Sequence, residues 1–156
     1  MTLADAFREV MAGVATPVTV VTALRDGRPH GTTVSAFASL SLTPPMVLVA
    51  LDRRSDLLAR LAIGAPFGVN VLGAHQAALA AAFARKSSDK FDGVEWTEHS
   101  GVPRLCGSPG WLVCSVAQLV DGGDHVVVLG DVVHAASSAA PPLVYHARTF
   151  GTHRAA

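Results

Sequence analysis

Gly31-Thr-Thr-Val-Ser-Ala-Phe-Ala-Ser-Leu-Ser-Leu-Thr-Pro-Pro45 is the stretch around which this chain organises itself. It opens as a strand over 31–36, passes through the hydroxyl-bearing residues Ser35, Ser39, Ser41 and Thr43, and is stopped by Pro44 and Pro45 before a very apolar strand over 46–51. It carries no charge. Taken alone it is an edge strand leading into a loop, since Ser and Thr are ordinary edge and turn residues. It has a second capacity: backbone N–H groups left free by the ladder around 37–41, together with hydroxyls, can hydrogen-bond the edge of a flat heterocycle.

Upstream, residues 18–24 are apolar on both faces, as in a barrel strand covered on each side, and Asp26-Gly27 supplies a hairpin turn into the central stretch. Before them Leu3, Phe7, Val10, Met11 and Val14 recur at helical spacing between an N-capping Thr2 and a stop at Gly13, so their apolar stripe is expected to pack on a later part of the chain. Downstream, Ser55 is expected to cap a helix carrying Leu57, Leu58, Leu61 and Ala62, ended by Gly64 and Pro66, and a strand follows over 67–72. An alanine-rich helix over 76–85 then delivers the chain into Arg85-Lys-Ser-Ser-Asp-Lys-Phe91, the one locally basic segment. The piece 93–109 reads as irregular with one short strand. The runs 111–120 and 125–135 form a hairpin through Asp121-Gly-Gly-Asp124, and Pro141-Pro142 introduces a last strand over 143–146. Six or seven strands joined mostly by short turns, without βαβ alternation, predict a mostly-β fold: an antiparallel barrel with peripheral helices. At 156 residues, with nothing resembling a linker, the whole of 1–156 is expected to be a single domain.

Hydrophobic residues make up 50% of the chain and charged residues 15%, too apolar for disorder. That fraction, and the doubly apolar run 18–24, predict a homodimer whose partner covers part of the surface. Twelve basic residues balance twelve acidic ones and no Lys/Arg block exceeds two, which leaves no electrostatic footprint for nucleic acid or an anionic membrane. Asp5, Arg8 and Glu9 interrupt any signal-like apolar run, so a cytoplasmic protein is expected. The uncharged run 31–51 carries too many hydroxyls, and a Pro pair, for a membrane span. Cys106 and Cys114 are expected to be inert buried thiols.

The seven histidines make no His-Glu-x-x-His or tight pair, so no metal site is expected. Neither a Gly-x-Ser-x-Gly elbow nor a Walker loop occurs. The Gly-x-Gly-x-x-Gly fingerprint is missing too, so a nicotinamide nucleotide here would be held without it. What remains is the hydroxyl-rich stretch, the basic loop after a helix, and an Asp-His at the mouth of a hairpin. A flavin needs groups of these kinds: apolar packing and hydrogen bonds for its ring, and Arg, Lys or Ser donors for its phosphate.

An ordered set of short motifs sharpens this reading. Phe7-Arg8, Thr19-Val-Val-Thr22, Asp26-Gly27, His30-Gly-Thr-Thr-Val-Ser35 and Ser39-Leu-Ser-Leu-Thr-Pro-Pro45 come first. Phe67-Gly-Val-Asn-Val-Leu72, Phe83-Ala84, Asp89-Lys-Phe-Asp-Gly93, Gly123-Asp-His125, Leu129-Gly-Asp-Val132 and Pro142-Leu-Val-Tyr145 follow. In this order, over nearly the whole chain, they resemble the short-chain flavin reductases, the reductase components of two-component flavin-dependent monooxygenases. The resemblance implies a flavin-reductase-like split β-barrel of the FMN-binding type, a homodimer with flavin near the subunit interface, FMN or FAD as flavin, and NADH or NADPH as co-substrate. It implies hydride transfer from nicotinamide C4 to flavin N5, with reduced flavin released to a separate oxygenase. By position it places Thr33, Val34, Ser35, Ala36, Ser39 and Leu40 along the isoalloxazine and ribityl chain. Asp52, Arg53 and Ser55 fall near the ribityl or phosphate, Arg85, Lys90 and Phe91 near the phosphate, and His125 beside the nicotinamide as the catalytic candidate. On the residues alone, Asp52-Arg53-Arg54 reads equally as a solvated turn, Lys90-Phe91 as a surface lysine beside a core aromatic, and His125 as a histidine closing its own hairpin. The chain has Ser35-Ala-Phe-Ala-Ser39 where the family often has Ser-Ser-Phe-Thr-Ser, which removes two hydroxyl contacts. A non-catalytic flavin carrier on the same barrel is the alternative.

Overall fold

The computed structural model describes residues 1–156. In chain order the elements are α1 (Leu3–Ala12), β1 (Thr16–Pro17), β2 (Thr19–Arg25), β3 (Arg28–Val34), β4 (Phe37–Leu42), β5 (Pro45–Asp52), β6 (Pro66–Val71) and α2 (Ala77–Ala84). They continue as β7 (Trp96–His99), β8 (Val102–Leu105), β9 (Gly110–Gly122), β10 (His125–Ser137), β11 (Val144–His146) and β12 (Thr149–Gly151). Seven strands make one antiparallel sheet in the order β3-β2-β6-β9-β10-β5-β4. It wraps around one apolar cluster that includes Val21, Val34, Val49, Phe67, Val69, Cys114 and Val128. Its edge strands β3 and β4 do not pair with each other, so the barrel is split between them.

Strand β2 explains the second layer. Val21 and Ala23 face the barrel interior, while Val18, just before the strand, and Val20 face a separate cluster with Leu72, Ala80, Phe83, Leu105 and Leu143. A strand buried on both faces must satisfy its polar side chains internally. Thr19 Oγ1 donates to the Val34 carbonyl and Thr22 Oγ1 to that of Pro103, each at 2.7 Å. Buried Asn70 donates to the Val20 carbonyl at 3.1 Å and accepts from Leu105 N–H at 2.8 Å, tying β8 to the barrel.

Asp26 and Gly27 turn the β2–β3 hairpin at positive φ (51° and 74°), as the Asp-Gly pair predicts. The β9–β10 turn is tighter than the sequence implies: Gly122 pairs with His125, leaving Gly123 (φ 65°) and Asp124 at the tip.

Four expectations are corrected. Ser55 caps no helix: the segment makes only a 3-10 turn at Leu58–Arg60, because Gly64 and Pro66 follow too soon and burying Leu57 and Leu61 needs no more than one turn. The piece 93–109 holds a hairpin, β7–β8, turned by Ser100 and Gly101 at positive φ, and the last strand gains a partner, β12, with β1 added on the other side. The stripe of α1 packs on nothing in the chain. No α1 residue is buried, and the helix is tied down by the Ala147 N–H to Ala12 carbonyl bond (2.8 Å) and the Arg148–Glu9 pair (2.6 Å). Cys106 is exposed, whereas Cys114 is buried, its thiol pushed up to about 12 by desolvation. Further, the doubly apolar run at β2 needs no partner subunit, since the two clusters of one chain cover it. No helix is long and apolar enough to cross a membrane.

Gly130 lies opposite a bulge of β9, at a place where an added Cβ would fall 2.6 Å from Phe67 Cζ and 3.2 Å from Cys114 Cβ. Phe67 is fully buried and has nowhere to retreat. Gly130→Ala should therefore cost about 1–3 kcal/mol through overpacking, read as a lower urea midpoint at unchanged slope. A midpoint equal to wild type would show that the ring can shift freely.

Candidate functional site

Three segments enclose a cleft of about 880 Å³: the start of β3, the turn following β5, and the basic loop after α2. Six cationic side chains line it (Arg28, Arg54, Arg60, Arg85, Lys86 and Lys90) against three carboxylates, Asp52, Asp56 and Asp92. Asp52 is occupied: it accepts from the Arg54 backbone N–H at 2.8 Å and from its guanidinium at 3.1 and 3.0 Å. Those guanidinium and backbone bonds hold its carboxyl well below the usual carboxylate range and raise Arg54. The remaining field in the cleft is positive, which suits a phosphoryl group.

Of the residues singled out from the sequence, Asp52, Ser55, Arg85, Lys90 and Phe91 meet in this cleft. Phe91 stands edge-on to Phe83 (centroids 4.8 Å apart) and to Trp96 (5.9 Å), so one aromatic both joins the second core and walls the cleft. Lys90 spans from loop to barrel, donating to the Gly31 and Phe83 carbonyls, each at 3.1 Å. The Phe83 carbonyl belongs to the last turn of α2, where a cation is favoured. Burial, the largest influence, lowers the ammonium pKa. Two of its three N–H groups are thus engaged within the chain. Arg85 is exposed and makes only a long bond, 3.4 Å, to the Ala82 carbonyl.

The other candidates lie outside the cleft lining. Thr33 Oγ1 is committed to the Ala80 carbonyl at 2.7 Å, and the Val34 side chain is in the barrel core. Ser35 is half-buried between β3 and β4, while Ala36, just before β4, and Ser39 and Leu40 on it are exposed. Because β4 is an edge strand with a bulge between Ser39 and Ser41, one side of its backbone and Leu40 have no strand partner. Arg53 turns away from the cleft: it donates to the Gly123 carbonyl (2.8 Å) and to Asp121 (2.9 Å), and its backbone N–H bonds the Asp124 carbonyl (3.0 Å). It thereby fastens the β9–β10 turn to the end of β5. His125 sits opposite Asp52 in the β5–β10 ladder, and its Nδ1 bonds Asp124 at 2.8 Å, an interaction that lowers the Asp124 carboxyl pKa. A carboxylate only accepts, so Nδ1 carries the hydrogen and Nε2 is left without a partner.

The sequence reading missed Arg28, Arg54, Arg60 and, as a site residue, His30. Arg60 Nη1 donates to the Asp56 carbonyl at 3.3 Å, but its Nε–H is shut off from water without an acceptor. Leaving such a group unpaired costs about 1–3 kcal/mol. His30 is half-buried and makes no hydrogen bond; burial first, then Arg60, pushes its pKa down, with Asp56 opposing. Arg60 stands in no motif, and His30 opens the motif His30-Gly-Thr-Thr-Val-Ser35 without a role of its own there; both line the cleft where β3 approaches the turn after β5.

The fold is a split antiparallel barrel with a cationic cleft against one of its edge strands, β3. The family model described as "Flavin reductase like domain" matches residues 11–154. The chain is 40% identical over 145 residues to the reductase component of 4-nitrophenol 4-monooxygenase/4-nitrocatechol 2-monooxygenase of Rhodococcus opacus, covering 93% of this chain and 78% of that one. It is 40% identical over 153 residues to an NADH:riboflavin 5'-phosphate oxidoreductase of Streptomyces pristinaespiralis, covering 95% and 87%. Among solved structures, the NADH:FAD oxidoreductase of Streptomyces globisporus C-1027 in complex with NAD and FAD fragments superposes with a TM-score of 0.89 at 36% identity, covering 99% of this chain and 93% of that one. The chain belongs to the flavin reductase like domain family.

The engagement of Lys90 generates a prediction. Lys90→Ala should lower stability by about 1 kcal/mol, the figure for two charged bonds discounted for partial exposure, whereas Arg85→Ala should leave stability unchanged. Thermal melts of both variants check this, and equal melting temperatures for the two would remove the structural role of Lys90.

Proposed function

We propose that the chain is an NADH-dependent flavin reductase whose product, reduced FMN or FAD, passes to a separate oxygenase component. The observation that carries this reading is the match along nearly the whole chain to proteins described as NADH-dependent flavin reductases and monooxygenase reductase components. The cationic cleft adds chemical support: the Arg60 guanidinium, paired with no carboxylate, and exposed Arg85 fit a flavin phosphate, and the unpaired backbone of β4 fits the polar edge of a ring. In this reading Ser55, Arg85, Lys90 and Phe91 hold the phosphate end, with Asp52 and Arg53 shaping the turn between cleft and hairpin. Thr33, Val34, Ser35, Ala36, Ser39 and Leu40 provide the strand against which the ring lies. The flavin supplies hydride-accepting chemistry at N5; the chain supplies binding and alignment, for which no acid or nucleophile is obligatory. The whole of 1–156 works as one such domain, placed in the cytoplasm.

Purified protein mixed with NADH and FMN or FAD in air should oxidise NADH catalytically. Bound flavin without turnover would instead indicate a carrier. His125 is proposed to contact the nicotinamide nucleotide through Nε2. His125→Ala should lower kcat/KM for NADH about tenfold or more while leaving the flavin Kd within about twofold. Loss of flavin binding, or retention of full efficiency, would assign His125 to the hairpin alone.

The same reading includes a homodimer. Its support is now the α1 face: Leu3, Phe7 and Val10 are 88, 62 and 68% exposed on one short helix, an apolar stripe suited to cover by a second copy. Sedimentation should give twice the chain mass, and Phe7→Glu with Val10→Glu should halve it. A monomeric wild type with full activity would remove the claim.

A further inference from the structure

Resting on the flavin-reductase reading, we propose that Arg60 and His30 form a phosphoryl-binding subsite in the cleft, a role no motif of the chain assigns to them. Arg60 Nε is the one buried side-chain polar atom of the molecule left without a partner. Nothing in the chain offers to satisfy it. The Asp56 backbone carbonyl takes Nη1, and no carboxylate pairs with the guanidinium. The Asp52 carboxylate is held by Arg54. His30 lines the same cleft, makes no hydrogen bond, and is acted on by Arg60 and Arg28 with only Asp56 opposing.

An arginine and a histidine lining one cleft, both short of an acceptor, lack the same thing. A phosphoryl group supplies it: lone pairs for the guanidinium N–H groups that the Asp56 carbonyl does not take, and negative charge that allows His30 to take a proton and donate in turn. Lys90, the more obvious cation, has two of its N–H groups bound to backbone carbonyls. The guanidinium fork of Arg60 is also better matched to phosphoryl oxygens than an ammonium is. The group could come from the flavin nucleotide or from the nicotinamide dinucleotide. The chemistry read is the same, and the assignment to a source is left to the ligands compared below.

The test uses the full chain and the Arg60→Gln variant, checked by thermal melt. Affinities for FMN and for riboflavin, which lacks the phosphate, are measured without NADH. The FMN Kd should rise tenfold or more in the variant and the riboflavin Kd stay within twofold. If the NADH KM rises instead with FMN affinity unchanged, the subsite stands and its phosphoryl is that of the dinucleotide. In parallel the His30 ring is titrated by NMR in chloride and in inorganic phosphate. Phosphate should raise its midpoint in wild type and not in the variant. Equal loss of FMN and riboflavin, no loss of any ligand, or a His30 midpoint indifferent to phosphate overturns the proposal. Should the variant fail to fold, the wild-type titration decides alone. A wild type that neither binds nor reduces flavin sinks the reductase reading, while the phosphate titration still judges the subsite.

Discussion

Burial of β2 on both faces is the constraint from which the remaining architecture follows. Its barrel-facing residues, Val21 and Ala23, need the other strands of the sheet around them; Val20, and Val18 just before it, need a second apolar layer. That layer can only come from outside the barrel, and α2, β8 and Leu143 provide it. The hydroxyls of Thr19 and Thr22 then have to find carbonyls within reach, and the second of these comes from β8. The β7–β8 hairpin is thus held by a buried threonine and Asn70 more firmly than its length suggests.

The cleft is a by-product of that second layer. Once α2 is laid on β2 and β3, the loop leaving it must cross the end of β3, and Lys90 fixes the crossing by joining the Gly31 and Phe83 carbonyls. Phe91 extends the aromatic core to the rim, so part of the wall of the cleft is packed on the core behind it. The positive field arises from six cationic side chains set against three carboxylates; the Asp52–Arg54 pair takes out one of each and leaves Arg28, Arg60 and Arg85 without a carboxylate partner.

How far the sequence carries this picture depends on whether a feature is local. The Asp26-Gly27 turn, α2, the long β9–β10 hairpin and the apolar strands are written in short-range patterns and appear where those patterns put them. The β7–β8 turn had a weaker cue in Ser100-Gly101, and β12 had almost none, since Ala147 and Arg148 take positive φ without a glycine. The segment after Ser55 carries helical spacing, but chain length cuts it to one turn. The α1 stripe is legible as amphipathic while saying nothing of what covers it. At the site, the loop motif leads to Lys90 and Phe91 but cannot reveal that the lysine is engaged. The orphaned Arg60 N–H exists only in three dimensions.

The end of β5 couples the two halves of the site. Asp52 faces the cleft through its pairing with Arg54, Ser55 lines the cleft, and Arg53 between them turns the other way to hold the tip that carries His125. The run is a turn, closed by the Ser55 N–H to Asp52 carbonyl bond (2.9 Å), and its curvature sends Arg53 toward the hairpin while Asp52, Arg54 and Ser55 stay on the cleft. The spacing between the cleft and His125 is therefore set by one register, His125 opposite Asp52. A slip of one residue in that ladder would send Val126 and Val128 out of the core, which is why the register is strongly specified. Contacts to a phosphoryl group persist unchanged through a reaction at a distant ring, so they set affinity; alignment of the reacting rings falls to whatever holds the nicotinamide. In this chain the core packing of β5 against β10 holds the cleft and His125 at a fixed separation.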